Sequence, residues 1–172
     1  MGRIILSKMV KKRAIYTGTF DPITNGHMDI LKRGLKIYDE IIIAVADSHS
    51  KKPMFNTKSR VSLIQKATSE LKSIKVESFS NLVVDFAKEK DVYNIIRGLR
   101  TTTDFEYELQ MSYANSSLDK NLDTIFLMPS LENAFISSSI VRELIKFNGE
   151  FSHLVPQEII KDLKKEVKKQ CM

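Results

Sequence analysis

Five short apolar runs, each followed by a segment of helical periodicity, constrain this chain more than any other feature. Residues 14–17, 41–46, 74–79, 93–98 and 124–128 are rich in β-branched and aromatic side chains and too short for buried helices. Their apolar character is continuous rather than alternating, as in parallel strands covered on both faces. Helical patterns fill the intervals at 27–38, 57–71, 82–88, 104–118, 137–146 and 156–169, with Thr57 as an N-cap for the second. This alternation predicts an α/β fold: a Rossmann-like, doubly wound parallel sheet of about five strands with right-handed crossovers. One domain over 13–172 is expected, preceded by a flexible extension at 1–12. In such sheets ligands bind beyond the C-terminal strand ends near the switch in strand order. That directs attention to the loops at 18–26, 47–56, 98–103 and 129–138.

Composition narrows the setting. Hydrophobic residues make up 42% and charged residues 28%, the balance of a globular chain. No apolar run approaches the roughly 18 residues of a membrane span. The opening MGRIILSKMVKKR lacks a signal-peptide pattern, so no membrane partner and a cytoplasmic location are expected. Cys171 is the sole cysteine and can form neither an internal disulfide nor a metal cluster. The net charge of +6 suits polyanionic ligands. Part of it lies at 161–169, where Ile159, Ile160, Leu163 and Val167 form one stripe and lysines alternate with acids. That is a docked surface helix, and no nucleic-acid partner is expected.

The junction after the first strand, YTGTFDPITNGH (16–27), carries the chemistry. Gly18 allows a tight exit from the strand, Pro22 stiffens the turn, and Gly26 admits a ligand close to the backbone. Thr19 and neighbouring amides can face a phosphate. His27 falls in the first helical turn, where free N–H groups and the dipole favour an anion. The segment lacks the Gly-Lys-Ser/Thr of a P-loop and is not GxGxxG. Near the other end, three serines at 137–139 open a helix and offer hydroxyls and amides to phosphate oxygens.

TNGH (24–27) after GTFDP resembles the T/HxGH signature of the nucleotidyltransferase superfamily, and ISSSIVR (136–142) resembles its ISSTxxR segment. SKKPMF (50–55), IIRGLRTTTDFEYELQM (95–111) and FLMPS (126–130) are similar to the phosphopantetheine adenylyltransferase family. The resemblance implies adenylyl transfer from ATP to 4'-phosphopantetheine, giving dephospho-coenzyme A and pyrophosphate. It implies Mg²⁺ as cofactor with no protein side chain assigned to it, coenzyme A as a candidate feedback ligand, and a homohexamer. Thr19, Lys51, Val83 and Arg97 would meet the phosphopantetheine. Thr19, Phe20, His27, Gly98, Leu99, Arg100, Glu108, Asn133, Ala134, Phe135, Ile136, Ser137, Ser138 and Ser139 would meet ATP. Three positions depart from the family's pattern: Thr17 replaces a common proline, Asn133 an aromatic residue and Val83 a methionine. The first eight residues extend beyond the family's usual start.

The chemistry makes sense of these residue types. A phosphomonoester with a second pKa of about 6 is already a nucleophile at neutral pH. No general base is needed; the site must position two polyanions and stabilise charge on the α-phosphate. His27 is the candidate catalytic donor, kept neutral by the helix dipole. Lys51 and Arg97 would aim the acceptor phosphate, and Arg100 with the serines would hold the triphosphate. Arg142 could contact the triphosphate or form a surface ion pair. His49 and His153 read as exposed or structural. Transfer to nicotinamide mononucleotide or glycerol phosphate is a rival within the same class, and a non-catalytic nucleotide- or RNA-binding module a rival outside it. Helix 104–118 carries two apolar stripes, Phe105 with Leu109 and Tyr107 with Met111, Ala114 and Leu118, which suggests a subunit contact or a pocket wall.

Overall fold

A computed structural model describes residues 11–47 and 52–170. The expected extension at 1–12 therefore falls almost wholly outside the described residues, as do His49, Lys51 and Cys171. Five parallel strands form one sheet: β1 (Arg13–Gly18), β2 (Glu40–Ala46), β3 (Ile74–Phe79), β4 (Asn94–Gly98) and β5 (Asp123–Leu127), in the order β3-β2-β1-β4-β5. The fold class follows the sequence reading, with strand ends shifted by at most one residue. Six helices connect and flank them: α1 (Asn25–Gly34), α2 (Thr57–Ala67), α3 (Val83–Lys90), α4 (Thr102–Leu118), α5 (Ser138–Lys146) and α6 (Ile160–Gln170).

The continuous apolar runs are explained by two cores. Ala14, Tyr16, Ile41, Ile43 and Ile96 point to one face, under buried residues of α1, α2, α5 and α6. Ile15, Ile42, Ala44 and Ile95 point to the other, against Val84, Phe86 and Ala87 of α3. Successive strand residues alternate faces, so a strand covered twice must be apolar at every position. Each such Ile contributes about 1.5–3 kcal/mol by leaving water.

Each helix differs from the sequence reading at one end or both, by one to four residues; α2, for example, ends at Ala67 rather than at residue 71. The first helix stops at Gly34 rather than at residue 38, because a Cβ at Gly34 would lie 2.9 Å from the methyls of Ile41 and Ile96 and the chain must turn into β2. The N-cap of α2 is Asn56, not Thr57: its side chain accepts from the Ser59 N–H at 2.8 Å. A short 3-10 turn at Gln157–Ile159 precedes α6. Among the described residues no helix is long and apolar enough to cross a membrane. The strand order reverses between β1 and β4, and the C-terminal ends of these two strands flank the site described next.

Candidate active site

Beyond the ends of β1 and β4 lies a cleft of about 300 Å³. Tyr16, Thr17, Gly18, Thr19 and Phe20 line it from the first strand, Gly26, His27 and Ile30 from α1, and Arg97, Gly98 and Arg100 from β4 and its exit. Pro129, Ile136, Ser138, Ser139 and Arg142 close it from the C-terminal half. The two signature segments thus meet across one cavity.

Gly26 is where they touch. A Cβ there would lie 2.8 Å from the Ile136 carbonyl oxygen. The missing side chain admits the backbone of the second signature, and Gly26 also lines the cleft. Gly18 likewise serves a neighbour: its φ is not positive, and a Cβ would press on the Phe20 ring at 2.9 Å. The unusual conformation belongs to Phe20, which has φ 49° and is only 3% exposed. A side chain in the left-handed region costs about 1–2 kcal/mol, offset here by burial of the ring against Tyr16 and His27.

His27 is held with a defined tautomer. The Thr24 N–H donates to Nδ1 at 3.1 Å, while the His27 N–H donates to Thr24 Oγ1 at 3.4 Å, a reciprocal capping box. Nδ1 is an acceptor, so the neutral ring carries its proton on Nε2. Burial, with the Arg100 and Arg97 charges adding to it, lowers its pKa to about 3. The ring is neutral as expected, with burial the largest cause of the shift and the two arginines adding to it.

The other residues sort by placement. Arg100 donates to the Ile136 carbonyl and to Asp104, both at 3.3 Å, and reaches the cleft. Of the serines, Ser137 is the N-cap of α5, accepting from the Ile140 N–H at 3.2 Å, and lies off the cleft wall. Ser138 donates to the Pro22 carbonyl at 2.7 Å, and Ser139 accepts from Arg142 at 3.1 Å; both line the cavity. Leu99, Asn133, Ala134 and Phe135 stand outside the lining. The Leu99 N–H is bonded to the Leu127 carbonyl at 2.9 Å. Asn133 donates to Ser130 Oγ, and Phe135 is 59% exposed at the rim.

Arg97 and Glu108 are brought together. The guanidinium clasps both carboxylate oxygens, with Nε to Oε2 at 2.6 Å, and also donates to Thr17 Oγ1 at 2.8 Å and to the Thr17 carbonyl. This pair separates the cleft from a smaller cavity of about 100 Å³, lined by Val83, Tyr107, Met111, Ser112 and Asn115. Val83 is therefore grouped with Arg97, whereas Glu108 faces Arg97 rather than the serines.

The family-level pattern of cytidylyltransferase-like proteins matches residues 15–144. The phosphopantetheine adenylyltransferase of Nautilia profundicola is 65% identical over 151 residues, covering 88% of this chain and 98% of that protein. Those of Helicobacter hepaticus and Campylobacter curvus are 58% and 54% identical, over 84% and 90% of this chain and 87% and 99% of their own. The chain belongs to the phosphopantetheine adenylyltransferase family. A solved structure of a lipopolysaccharide core biosynthesis protein from Thermoplasma volcanium, 24% identical with a TM-score of 0.52, covers 70% of this chain and 98% of that one and shares the fold.

Family membership does not by itself reveal two buried charges that organise the cleft, Asp21 and Arg60. The Asp21 carboxylate, 3% exposed, accepts from the Met54 and Phe55 N–H groups at 2.7 and 2.8 Å. It also faces Arg142 at 3.6 Å, and its own carbonyl accepts from that guanidinium at 2.7 Å. Arg142 is thus neither a loose surface pair nor free; it is fixed at the cleft wall. Arg60 was legible in principle: it occupies the stripe Arg60, Leu63, Ile64, Ala67, where an arginine breaks an apolar face.

Proposed function

We propose that the cleft binds ATP and that the chain transfers its adenylyl group to the phosphate of 4'-phosphopantetheine, giving dephospho-coenzyme A and pyrophosphate. The observation that carries this reading is the Nε2–H of His27, held by Thr24 in a cavity shared with Arg100, Ser138 and Ser139. An acceptor phosphate oxygen forms a bond to the α-phosphorus, and the bond from that phosphorus to the oxygen bridging to the β-phosphate breaks. Pyrophosphate leaves with that electron pair. Because the acceptor is a dianion, no proton need be removed from it. His27 Nε2–H meets the charge that grows on the α-phosphate oxygens. A neutral donor with a pKa near 3 stays a donor throughout the transfer.

We assign the triphosphate to Arg100, Ser138, Ser139 and Arg142, the nucleotide's other contacts to Thr19, Phe20 and Gly98, and the acceptor phosphate to Arg97 and Lys51. In this reading the phosphate competes with Glu108 for Arg97. Mg²⁺, the cofactor the family resemblance implies, would have no cluster of three His, Cys, Asp or Glu side chains to hold it among the described residues, where Asp21 and Glu108 are engaged by N–H donors, so it would be carried by the nucleotide. The ion supplies charge neutralisation of the leaving pyrophosphate. Coenzyme A, which bears the acceptor's arm, is proposed to compete for the same site. A cytoplasmic location suits a chain whose substrates are small phosphorylated metabolites.

We further propose that α4 is covered by other copies of the chain in a homohexamer. None of its residues is buried, and Phe105, Tyr107, Met111, Tyr113 and Leu118 are exposed. The decisive experiment mixes the chain with ATP, Mg²⁺ and 4'-phosphopantetheine and follows dephospho-coenzyme A by mass and pyrophosphate release. Product should appear only with all three present. Pantetheine without its phosphate should be inert; pyrophosphate release independent of acceptor would refute the reading.

A further inference from the structure

Arg60 is 0% exposed, although it sits on a helix face packed into the core. A guanidinium taken out of water persists only if its donors are answered. Here the answers come from four places. Nε donates to the Phe55 carbonyl at 3.0 Å; NH1 donates to the carbonyls of Thr19 at 2.7 Å and Ala46 at 2.9 Å; NH2 donates to Thr57 Oγ1 at 2.9 Å. The Asp47 carboxylate lies 3.9 Å from NH2 and accepts in turn from Thr57 Oγ1 at 2.7 Å. The side chain therefore ties the loop after β1 to the end of β2 and to the start of α2. Asp21 works from the opposite side, taking the N–H groups of Met54 and Phe55. Phe55 is gripped at both its amide and its carbonyl.

An apolar residue would fill the same space without these bonds, and that would leave the Thr19, Ala46 and Phe55 carbonyls without this donor. We propose that Arg60 is a positioning residue for adenylyl transfer: through the Thr19 and Phe55 carbonyls it locks the cleft-lining loop after β1 to the segment that leads into α2. This rests on the functional reading above. The bonds of Thr24 to His27 and of Ile136 and Asp104 to Arg100 do not involve Arg60. Thr19 is assigned to the nucleotide in that reading, so losing Arg60 should lower turnover most and weaken both substrates by smaller factors.

The test uses Arg60→Met, Arg60→Lys and Thr57→Val beside the unaltered chain. Steady-state kinetics in both substrates are set beside ATP affinity by calorimetry, all per folded molecule. Displacement of a reacting group by about an ångström costs up to about a hundredfold. Arg60→Met should lose about ten- to a hundredfold in kcat, with the ATP Kd and the acceptor KM each changed by less than about tenfold. Arg60→Lys, which keeps the charge without the fork, should recover part of the loss. Thr57→Val, on a partly exposed position, should fold and lose a few-fold. If Arg60→Met does not fold, the other two decide. Parameters per folded molecule within twofold of the unaltered chain in both would overturn the proposal. An unaltered chain that forms no product sinks the functional reading and this one with it; active chain with unchanged variants sinks the role of Arg60 alone.

Discussion

The corner where β1, α1 and α5 meet and the helix α4 are built on opposite terms. In the corner every functional side chain has a partner within the chain: His27 has Thr24, Ser138 has Pro22, Arg142 has Asp21, and Gly26 exists to admit Ile136. Seventeen residues of α4, by contrast, include none that is buried, and Tyr113 at its middle is 68% exposed. The corner is complete as one polypeptide, so its geometry is preorganised before substrate arrives, which is what electrostatic catalysis requires. The helix touches β5 through Phe105 and Phe126 yet leaves Tyr107, Tyr113 and Leu118 exposed, and its Glu108 is committed to Arg97. One region can be judged from a single chain; the other carries the surface proposed above to meet further copies.

The largest expected effect breaks the corner at its donor. His27→Ala should lower kcat by about 10²–10³ while ATP affinity by calorimetry stays nearly unchanged, since the lost hydrogen bond matters mainly in the transition state. Turnover within a few-fold of the unaltered chain would make the capping box its only role. Next, Arg97→Ala joins the two regions. It should lower kcat/KM for the acceptor about tenfold or more and also lower the Tm, because a partly buried Glu108 carboxylate is left unpaired at a cost of about 1–3 kcal/mol. Equal weakening of both substrates would assign it a structural role instead.

Light scattering tests the helix: the unaltered chain should run as an oligomer, and Tyr113→Glu should shift it toward the monomer while the corner's chemistry persists. A monomeric native chain would remove the contrast drawn here. Gly26→Ala should cost about 1–3 kcal/mol in a thermal or denaturant melt, the range for overpacking, as the new methyl pushes the Ile136 carbonyl away.

The last effect is a slope in the pH dependence of stability. His27 titrates near 3 when folded and near 6.5 when unfolded, so the unfolded state binds more protons between these values. Its contribution is fully present above pH 6.5 and is lost as pH falls toward 3, at no more than about 1.4 kcal/mol per pH unit. A pH series of melts should show this slope shrink in His27→Ala. The acid limb of activity should instead follow the acceptor phosphate, near pH 6, in both proteins.

The sequence by itself determined the class of sheet, because strands covered on both faces must be apolar at every position and runs such as 41–46 can hardly be anything else. It also pointed to the nucleotidyltransferase superfamily, since TNGH and ISSSIVR are contiguous strings whose meaning survives without coordinates. Tertiary structure decided which members of those strings face the cavity. Ser138 and Ser139 do and Ser137 does not, because the first serine must cap the helix that presents the others. It decided that Gly18 and Gly26 yield space to Phe20 and Ile136, and that burial and two arginines lower the pKa of His27. It alone paired Arg97 with Glu108, and set Asp21 and Arg60 on either side of Phe55. Periodicity records which face of a helix is covered; it carries no information about which loop, 41 residues away in the chain, supplies the carbonyl that a buried guanidinium needs.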